Sequence, residues 1–182
     1  MNYNPQIHHR HSIRLKGYDY SQEGLYFVTI CTHARQHLFG EITDVPHVGV
    51  GSAHPILIPQ MILNNHGKII EQCYLGLEYK FPNIECCEYI VMPNHFHAII
   101  KINGDAEMAN REKAGGPRPY EVTLGRIIAF FKYQSTKLVD LHNQKLWQRN
   151  YYEHIIRNET AYWNISNYIL NNPEQWAHDR LR

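Results

Sequence analysis

Hydrophobic residues recur along the chain with two different periods, and these periods predict its secondary structure. Runs rich in β-branched and aromatic residues indicate strands, because such side chains pack well on a pleated, half-buried surface. Apolar positions three and four residues apart indicate amphipathic helices. Strands are predicted over residues 25–32, 84–92, 95–102 and 146–156, and helices over residues 66–79, 121–143 and 158–172.

The order of these elements predicts the fold class. Strand, helix, two strands, helix and strand make up the split βαβ arrangement. We therefore expect an α+β fold: a ferredoxin-like (split βαβ) four-stranded antiparallel sheet with two helices on one face, plus a C-terminal helix. A basic N-terminal arm is expected over residues 1–23 and a single domain over residues 24–182. Loop insertions are expected near residues 43–60 and 103–119, where prolines and glycines follow no steady period, and the first could contain a short strand near residues 56–58.

Composition narrows the class of protein. The chain has 182 residues, of which 43% are hydrophobic and 19% are charged, as in a globular domain. Its net charge of +1 with neutral histidines creates no global field that would attract nucleic acid, so an anion would have to bind a local basic patch. No stretch reaches the roughly 18 consecutive apolar residues of a membrane-spanning helix, and no apolar signal segment opens the chain. We therefore expect a cytoplasmic protein.

Two histidines on the third predicted strand are the first candidates for chemistry. His95 and His97 flank Phe96, and alternate side chains of a strand share a face. Both imidazoles are therefore expected on one face, with Phe96 directed into the core. Such a pair suits a divalent metal or a phosphate. Because the chain contains 13 histidines, a half-buried strand that carries two of them by chance is the competing interpretation.

A second candidate pair lies on the last predicted helix. Tyr168 and Asn172 are four residues apart and should share a helix face. Tyr168 could attack phosphorus with help from a base or a metal, because an ordinary phenol has a pKa of about 10. The amide oxygen of Asn172 is a suitable hard ligand for Mg²⁺ or Mn²⁺ beside two imidazoles. A packing tyrosine and a helix-end asparagine are the alternative interpretation.

Four other tyrosines compete with Tyr168 for the role of nucleophile. Tyr151 and Tyr152 should face opposite ways on a strand, so at most one of them could reach the histidines. Tyr162 falls on the apolar stripe of its helix, and Tyr133 has no amide four residues later. Tyr168 is the preferred candidate.

Several motifs together resemble one known family. In chain order they are GYDYS (17–21), YFVTICT (26–32), VMPNHFH (91–97), LWQRNYYEH (146–154) and YILNNP (168–173). This ordered set resembles the single-tyrosine transposases of the HUH nuclease superfamily, which is named for a His–hydrophobic–His element. Within that superfamily the chain resembles the REP-associated tyrosine transposases, over most of residues 14–176.

The resemblance implies an activity and a site. The activity is that of a metal-dependent single-stranded DNA endonuclease and strand transferase, which acts through a 5′-phosphotyrosine intermediate on hairpin DNA. His95 and His97 match the metal-binding pair, Asn172 the third ligand and Tyr168 the nucleophile. The implied cofactor is Mg²⁺ or Mn²⁺. A non-catalytic nucleic-acid-binding protein with a ferredoxin-like sheet is the alternative function.

The resemblance also implies partners. Single-stranded or hairpin DNA would be held by its phosphates, while exposed aromatic rings stack on unpaired bases. The candidate phosphate-binding residues are Arg14, Lys16, Arg126, Lys132 and Arg149. Some relatives are dimers in which one subunit's tyrosine helix completes the partner's site, and others act as monomers, so a homodimer stays open. No membrane partner is expected, and the DNA-bound protein would be associated with the nucleoid.

Overall fold

A computed structural model describes residues 17–47, 55–104, 122–142 and 144–182. In these ranges the strands are β1 (Gly24–Cys31), β2 (Gly40–His47), β3 (Ile56–Leu63), β4 (Ile84–Met92), β5 (His95–Ile102) and β6 (Tyr152–Ile156). The helices are α1 (Asn65–Leu75), α2 (Leu77–Lys80), α3 (Leu124–Val139), α4 (Glu159–Leu170) and α5 (Asn172–Gln175), with 3₁₀ turns at His33–Arg35 and Trp176–His178. None of the described helices is both long enough and apolar enough to cross a bilayer.

The main sheet has the predicted architecture. Its strand order is β4-β5-β1-β6, and every neighbouring pair is antiparallel. The chain reaches β4 from β1 through α1 and α2, and it reaches β6 from β5 through α3, which is the split βαβ connection. The predicted α+β fold with a four-stranded antiparallel sheet is therefore confirmed. The strands β4 and β5 begin and end where the sequence predicted.

The two faces of this sheet bury different side chains, because strand residues alternate between faces. Even-numbered positions of β1 and β5 face α1 and α3 in the larger core, and they include Tyr26, Val28, Ile30, Phe96, Ala98 and Ile100. On the opposite face Phe27 and Ile99 pack against Ile169 of α4. Two helices thus cover one face and the C-terminal helix covers the other. His95 and His97 are odd-numbered and lie on the α4 face.

The segment near residues 43–60 is not a loop, as far as it is described. Its two ends form a separate two-stranded antiparallel sheet, β2 and β3. Each strand contains a proline, Pro46 or Pro59, which is tolerated because both strands of such a sheet are edges. The prolines and the exposed side chains of Ile56 and Leu57 hide the alternation that marks a strand. Residues 48–54, and residues 105–119 of the second expected loop, lie outside the described residues.

Residues 17–23 belong to the packed domain, so the arm predicted over residues 1–23 is too long. The rings of Tyr18 and Tyr20 are 5.0 Å apart by centroid, and both lie against Tyr26 of β1. The carbonyl of Tyr20 accepts a hydrogen bond from the backbone N–H of Leu124, where α3 begins. Aromatic side chains within a polar run therefore join the core. Residues 1–16 lie outside the described residues.

The bounds of the first helix and of the last strand also differ from the predicted ones. Asn64 caps α1 by accepting a hydrogen bond from the N–H of Gly67 at 3.0 Å, and the helix is interrupted at Gly76. The last strand begins at residue 152 rather than 146, because Trp147 forms only a single bridge with Thr32. These shifts leave the order of the elements unchanged.

Gly67 offers a test of how closely α1 packs on the rest of the chain. A Cβ at this position would lie 2.2 Å from the backbone carbonyl oxygen of Phe39. We expect Gly67→Ala to lower the free energy of unfolding by about 1–3 kcal/mol, the range that overpacking usually costs. Gly76→Ala is the control, since its Cβ would stand 3.1 Å from the nearest atom, a carbonyl of the preceding turn. Urea unfolding curves measure both variants, and equal destabilisation would contradict the packing argument.

Candidate active site

The two histidines of β5 lie side by side beneath α4 and the C-terminal segment, defined here as residues 172–182. Their ring centroids are 4.5 Å apart and their planes are inclined by 69°. The two residues are 0% and 1% exposed. Burial lowers the pKa of His95 to about 4, and burial together with the neighbouring imidazole lowers the pKa of His97 well below its usual range. Both rings are therefore neutral at pH 7, and each has a nitrogen lone pair to offer.

Asn94 determines which nitrogen of His95 carries the proton. The amide nitrogen of Asn94 donates to the carbonyl oxygens of Leu181 at 2.7 Å and of Arg35 at 3.4 Å, which turns its Oδ1 toward His95. That oxygen can only accept, and it lies 2.8 Å from Nδ1 of His95. Nδ1 is therefore protonated, and Nε2 presents its lone pair on the other side of the ring. The second nitrogen of a metal-binding histidine is usually held in this way.

Thr29 holds His97 from the neighbouring strand. The two residues are opposite each other in the β1–β5 register, and Oγ1 of Thr29 lies 2.8 Å from Nδ1 of His97. The imidazole also stacks on Phe27, with 5.4 Å between the centroids. Nε2 of His97 is thereby directed toward α4.

Tyr168 of α4 is the tyrosine that meets this nitrogen. Its hydroxyl lies 3.4 Å from Nε2 of His97, and its ring packs edge-on against Phe27. The residue is 39% exposed, so a substrate can approach the hydroxyl from solvent. Burial of the rest of the side chain raises the pKa of Tyr168, the carboxylate of Asp179 raises it further, and Asn172 lowers it.

The competing tyrosines have other surroundings. Tyr151 packs with the larger core on the far side of the sheet. The hydroxyl of Tyr162 donates to the carboxylate of Glu88 at 2.8 Å, which raises the pKa of this phenol to about 12. Tyr133 is exposed on α3, on the far side as well. Tyr152 shares the sheet face of the histidines and is half exposed, which makes it the nearest rival.

Asn172 reaches the site by a different path from the one predicted. The helix α4 ends at Leu170, and Asn172 starts the short helix α5 instead of continuing α4. Pro173 fits in the first turn of α5, where its missing N–H leaves no hydrogen bond unmade. The side chain of Asn172 is still buried, and its amide raises the pKa of His95 and lowers that of Tyr168, in each case against the larger effect of burial. The two residues therefore meet although the helix between them is interrupted.

Three buried polar atoms at this place have no hydrogen-bond partner among the described residues. They are Nε2 of His95, Oδ1 of Asn172 and Oδ2 of Asp179. Buried polar atoms left unpaired are costly, and a cation would satisfy all three because each offers a lone pair. Within the described ranges no three His, Cys, Asp or Glu side chains already form a metal cluster. The amide oxygen of Asn172 is a hard donor of the kind that Mg²⁺ and Mn²⁺ take.

A cleft of about 370 Å³ between α4 and the C-terminal segment opens this site to solvent. Tyr168, Asn172 and Asp179 are among its lining residues. A larger cavity of about 840 Å³ lies between β3, β4 and α4, and its lining includes the carboxylates of Glu71, Glu85, Glu88 and Glu174. Four carboxylates repel a phosphate, so the smaller cleft is the candidate entrance for a phosphodiester.

The predicted DNA-binding residues are of three kinds: two lie outside the described residues, two are exposed, and one is hydrogen-bonded to the backbone. Arg14 and Lys16 lie outside the described residues. Arg126 is exposed in the first turn of α3. Lys132 donates to the backbone carbonyls of residues 148 and 149, and burial lowers its pKa, so it holds the chain rather than reaching into solvent. Arg149 is exposed.

Lys132 and Arg149 line one groove, which we call the basic groove. Its volume is about 490 Å³, and Lys137 and Lys145 bring the number of cations on its walls to four, beside the exposed ring of Tyr133. The groove lies at the same end of the sheet as the histidines. Trp147, in the wall of the groove, forms a β-bridge with Thr32. The N–H and the hydroxyl of Thr32 both donate to the carbonyl of Asn94, which directly precedes His95.

Comparison with known proteins identifies a relative. No family model matches the chain. The chain is 38% identical over 187 residues to an uncharacterized protein of Haemophilus influenzae, and the match covers 98% of this chain and 96% of that protein. The two proteins belong to one family.

The solved structures to which this chain is similar include that of a transposase. A REP-associated tyrosine transposase bound to a REP hairpin has a TM-score of 0.57 and 20% identity, covering 90% of this chain and 74% of that chain. At this identity the likeness establishes the fold, and the predicted resemblance is confirmed at that level. A protein of Deinococcus radiodurans R1, provisionally assigned as a transposase, has a TM-score of 0.46 and 13% identity over 87% of this chain and 95% of that chain, too low to support an argument.

Three polar residues of the site, Thr29, Asn94 and Asp179, were not predicted from the sequence. Thr29 was within reach of prediction, because strand pairing puts a polar residue of β1 beside a histidine of β5. Asn94 directly precedes His95, but its contact with Leu181 gives no local pattern. Asp179 lies in a segment without periodicity, so only the folded chain brings it to the histidine.

Asn94→Ala tests the assignment of the His95 proton. Removal of the amide leaves Nδ1 of His95 and the carbonyl of Leu181 without their partners, so the free energy of unfolding should fall by about 1–3 kcal/mol. The ring of His95 should shift toward the tautomer protonated on Nε2. Long-range proton–nitrogen NMR spectra near neutral pH report the tautomer of each ring, and His97, which Thr29 holds, is the internal control. An unchanged tautomer at His95 would contradict the assignment.

Proposed function

We propose that this protein is a metal-dependent single-stranded DNA endonuclease and strand transferase of the transposase type, acting through a 5′-phosphotyrosine intermediate. The observation that carries the proposal is the position of the Tyr168 hydroxyl, 3.4 Å from Nε2 of His97, whose ring centroid lies 4.5 Å from that of His95. The transposase of similar fold was solved with a REP hairpin, and we extend hairpin DNA to this chain as the class of substrate.

His95, His97 and Asn172 are the residues that would hold Mg²⁺ or Mn²⁺. When bound, such a cation offsets the charge that develops on the non-bridging oxygens of a scissile phosphate. Asn94 and Thr29 hydrogen-bond the Nδ1 atoms of the two rings, so Nε2 is the nitrogen of each ring that would face a cation. The ligands are thus oriented before any cation arrives, which limits the reorganisation that binding requires.

Tyr168 is the nucleophile in this proposal. Its hydroxyl, which is open to solvent, gives its proton to water, and its oxygen forms a bond to phosphorus while the bond from phosphorus to the 3′ oxygen breaks. The 3′ oxygen leaves as a hydroxyl after taking up a proton, and the 5′ phosphate remains esterified to the tyrosine. Attack on that ester by the same or another 3′ hydroxyl reverses the step. The ester retains the phosphodiester bond energy, so strands can be rejoined without ATP.

Asn172 has a second task in the reaction. Burial raises the pKa of Tyr168, which disfavours the phenolate, and the Asn172 amide lowers it by hydrogen bonding. One amide can therefore direct its oxygen to the cation and its nitrogen to the developing phenolate. The edge-on contact with Phe27 holds the tyrosine ring in place meanwhile.

All four proposed site residues come from one chain. The contact between Tyr168 and His97 joins residues of the same protomer, which supports a proposal in which the site forms within one chain. A homodimer stays a prediction that concerns assembly rather than chemistry.

The basic groove is the surface that would hold the DNA backbone. Cationic side chains on its walls supply charge for phosphates, and Tyr133 offers a ring on which an unpaired base can stack. The groove lies at the histidine end of the sheet, so a strand held there can continue to the cleft at Tyr168. Lys132 would stabilise the wall of the groove, because its ammonium donates to the backbone carbonyls of Gln148 and Arg149.

Tyr168→Phe tests the nucleophile. Labelled single-stranded hairpin DNA is incubated with the protein and Mn²⁺ or EDTA, and covalent adducts are resolved on denaturing gels. We expect a metal-dependent adduct with the wild type and none with Tyr168→Phe, because the ring packing is kept while the attacking oxygen is lost. Tyr152→Phe, an exposed tyrosine on the same sheet face, is the matched control and should form the adduct normally.

Other outcomes of this assay reassign the function. An adduct that persists in Tyr168→Phe and disappears in Tyr152→Phe would transfer the role to the strand tyrosine. Tight hairpin binding without an adduct under any metal condition would favour the non-catalytic nucleic-acid-binding protein.

Arg149→Ala tests the basic groove. Loss of one exposed phosphate contact should weaken binding of all hairpins to a similar extent and reduce the slope of log affinity against log salt by about 1. Fluorescence anisotropy at several salt concentrations measures this slope. Lys132→Ala is expected to differ, lowering the free energy of unfolding because two carbonyls lose their donor. Equal salt slopes for wild type and Arg149→Ala would place the DNA elsewhere.

A further inference from the structure

We infer that Asp179, in the C-terminal segment, supplies a fourth ligand to the divalent cation held by His95, His97 and Asn172. The inference rests on the proposed metal site and adds a residue to it. The ligand atom is Oδ2, the carboxylate oxygen nearest to His95.

The arrangement of lone pairs around His95 carries this inference. Nδ1 of His95 is hydrogen-bonded to Asn94, so Nε2 is the ring nitrogen that faces Asp179. Oδ2 of Asp179 lies 3.7 Å from that nitrogen, beyond hydrogen-bonding distance. Both atoms and Oδ1 of Asn172 lack hydrogen-bond partners within the described part of the chain. A cation bound among these three atoms would give each of them a partner.

The rest of the C-terminal segment holds the carboxylate in this orientation. Oδ1 of Asp179 accepts a hydrogen bond from the backbone N–H of Leu181 at 2.7 Å. The carbonyl of Leu181 in turn accepts from Asn94, and the carbonyl of Arg180 accepts from the guanidinium of Arg35. One oxygen is thus used for structure, and the other is left directed at the histidine. The side chain of Asp179 is only 8% exposed, so water has little access to it.

The distance suits a shared cation after a small movement. In an octahedral site with metal–ligand bonds of about 2.1 Å, adjacent ligand atoms stand about 3 Å apart. Nε2 of His95 and Oδ2 of Asp179 are 3.7 Å apart, so an approach of less than about 1 Å brings them to that spacing.

Charge gives a further reason. The two imidazoles and the amide are neutral donors, and a divalent cation moved into a buried site without an opposite charge pays a large desolvation penalty. Asp179 adds one negative charge and a hard oxygen donor. The donor set then shifts toward the ligands that Mg²⁺ and Mn²⁺ prefer.

Mn²⁺ binding to the full-length protein tests this inference without DNA or turnover. Titration calorimetry compares the wild type with Asp179→Asn, Glu174→Gln and His97→Ala. Asp179→Asn is isosteric and keeps an oxygen for the N–H of Leu181, while Glu174 is an exposed carboxylate of α5 and serves as the matched control. We expect Asp179→Asn to weaken Mn²⁺ binding by at least about tenfold. Glu174→Gln should bind like the wild type.

Thermal unfolding gives a second readout and shows that the variants are folded. In EDTA, Asp179→Asn should unfold at the wild-type temperature or above it, because its amide nitrogen can donate to Nε2 of His95. In excess Mn²⁺ the wild type should gain more stability than Asp179→Asn, since a ligand stabilises the folded state in proportion to the logarithm of its affinity.

The outcomes separate this inference from the proposed function. If Asp179→Asn binds Mn²⁺ as well as the wild type while His97→Ala does not bind, the histidine site stands and Asp179 is not a ligand. Tighter binding by Asp179→Asn would also overturn the inference, because the carboxylate would then hinder the cation. If the wild type does not bind Mn²⁺, or His97→Ala binds it equally well, the proposed metal site itself fails and the inference falls with it.

Discussion

The hydrogen bonds of Asn94 hold the parts of the candidate site together. Its backbone carbonyl accepts from Thr32 at the end of β1, its side-chain oxygen accepts from His95, and its side-chain nitrogen donates to the carbonyl of Leu181. A buried amide with all its polar atoms paired fixes the position of each partner, because loss of any one contact leaves a buried group unsatisfied. One residue thus joins the central sheet to the C-terminal segment. The site exists only when these distant parts of the chain are assembled.

Burial of the two histidines explains why this network is needed. An imidazole removed from water disfavours its charged form, so both rings are neutral and carry lone pairs at pH 7. Neutral buried rings must still have their remaining polar atoms satisfied, and Asn94 and Thr29 do this on the Nδ1 side of each ring. The Nε2 side is left for chemistry. Tyr168 differs because it comes from a helix at the surface and keeps part of its ring in solvent.

The low net charge of the chain conceals an uneven distribution. Cationic side chains line the basic groove beside α3, while four glutamates line the large cavity between β3, β4 and α4. A polyanion is attracted to the first surface and repelled by the second, so its approach is restricted to one side of the molecule. The basic groove lies at the histidine end of the sheet. Positive and negative side chains are thus separated on the surface although the total charge is close to zero.

The sequence by itself determined the central strands and the sheet face of the histidines. Alternation of side chains in a strand and the turn at Pro93 and Asn94 are local properties, and β4 and β5 have the predicted bounds. Strand β2 and most of β3 were not predicted, because exposed edge strands need no alternation. The tertiary structure decided what surrounds the histidines. Asn172 comes to them although α4 ends at Leu170, and Asp179 comes from a segment without any pattern. Contacts between distant residues depend on the path of the folded chain, which periodicity along the sequence does not encode.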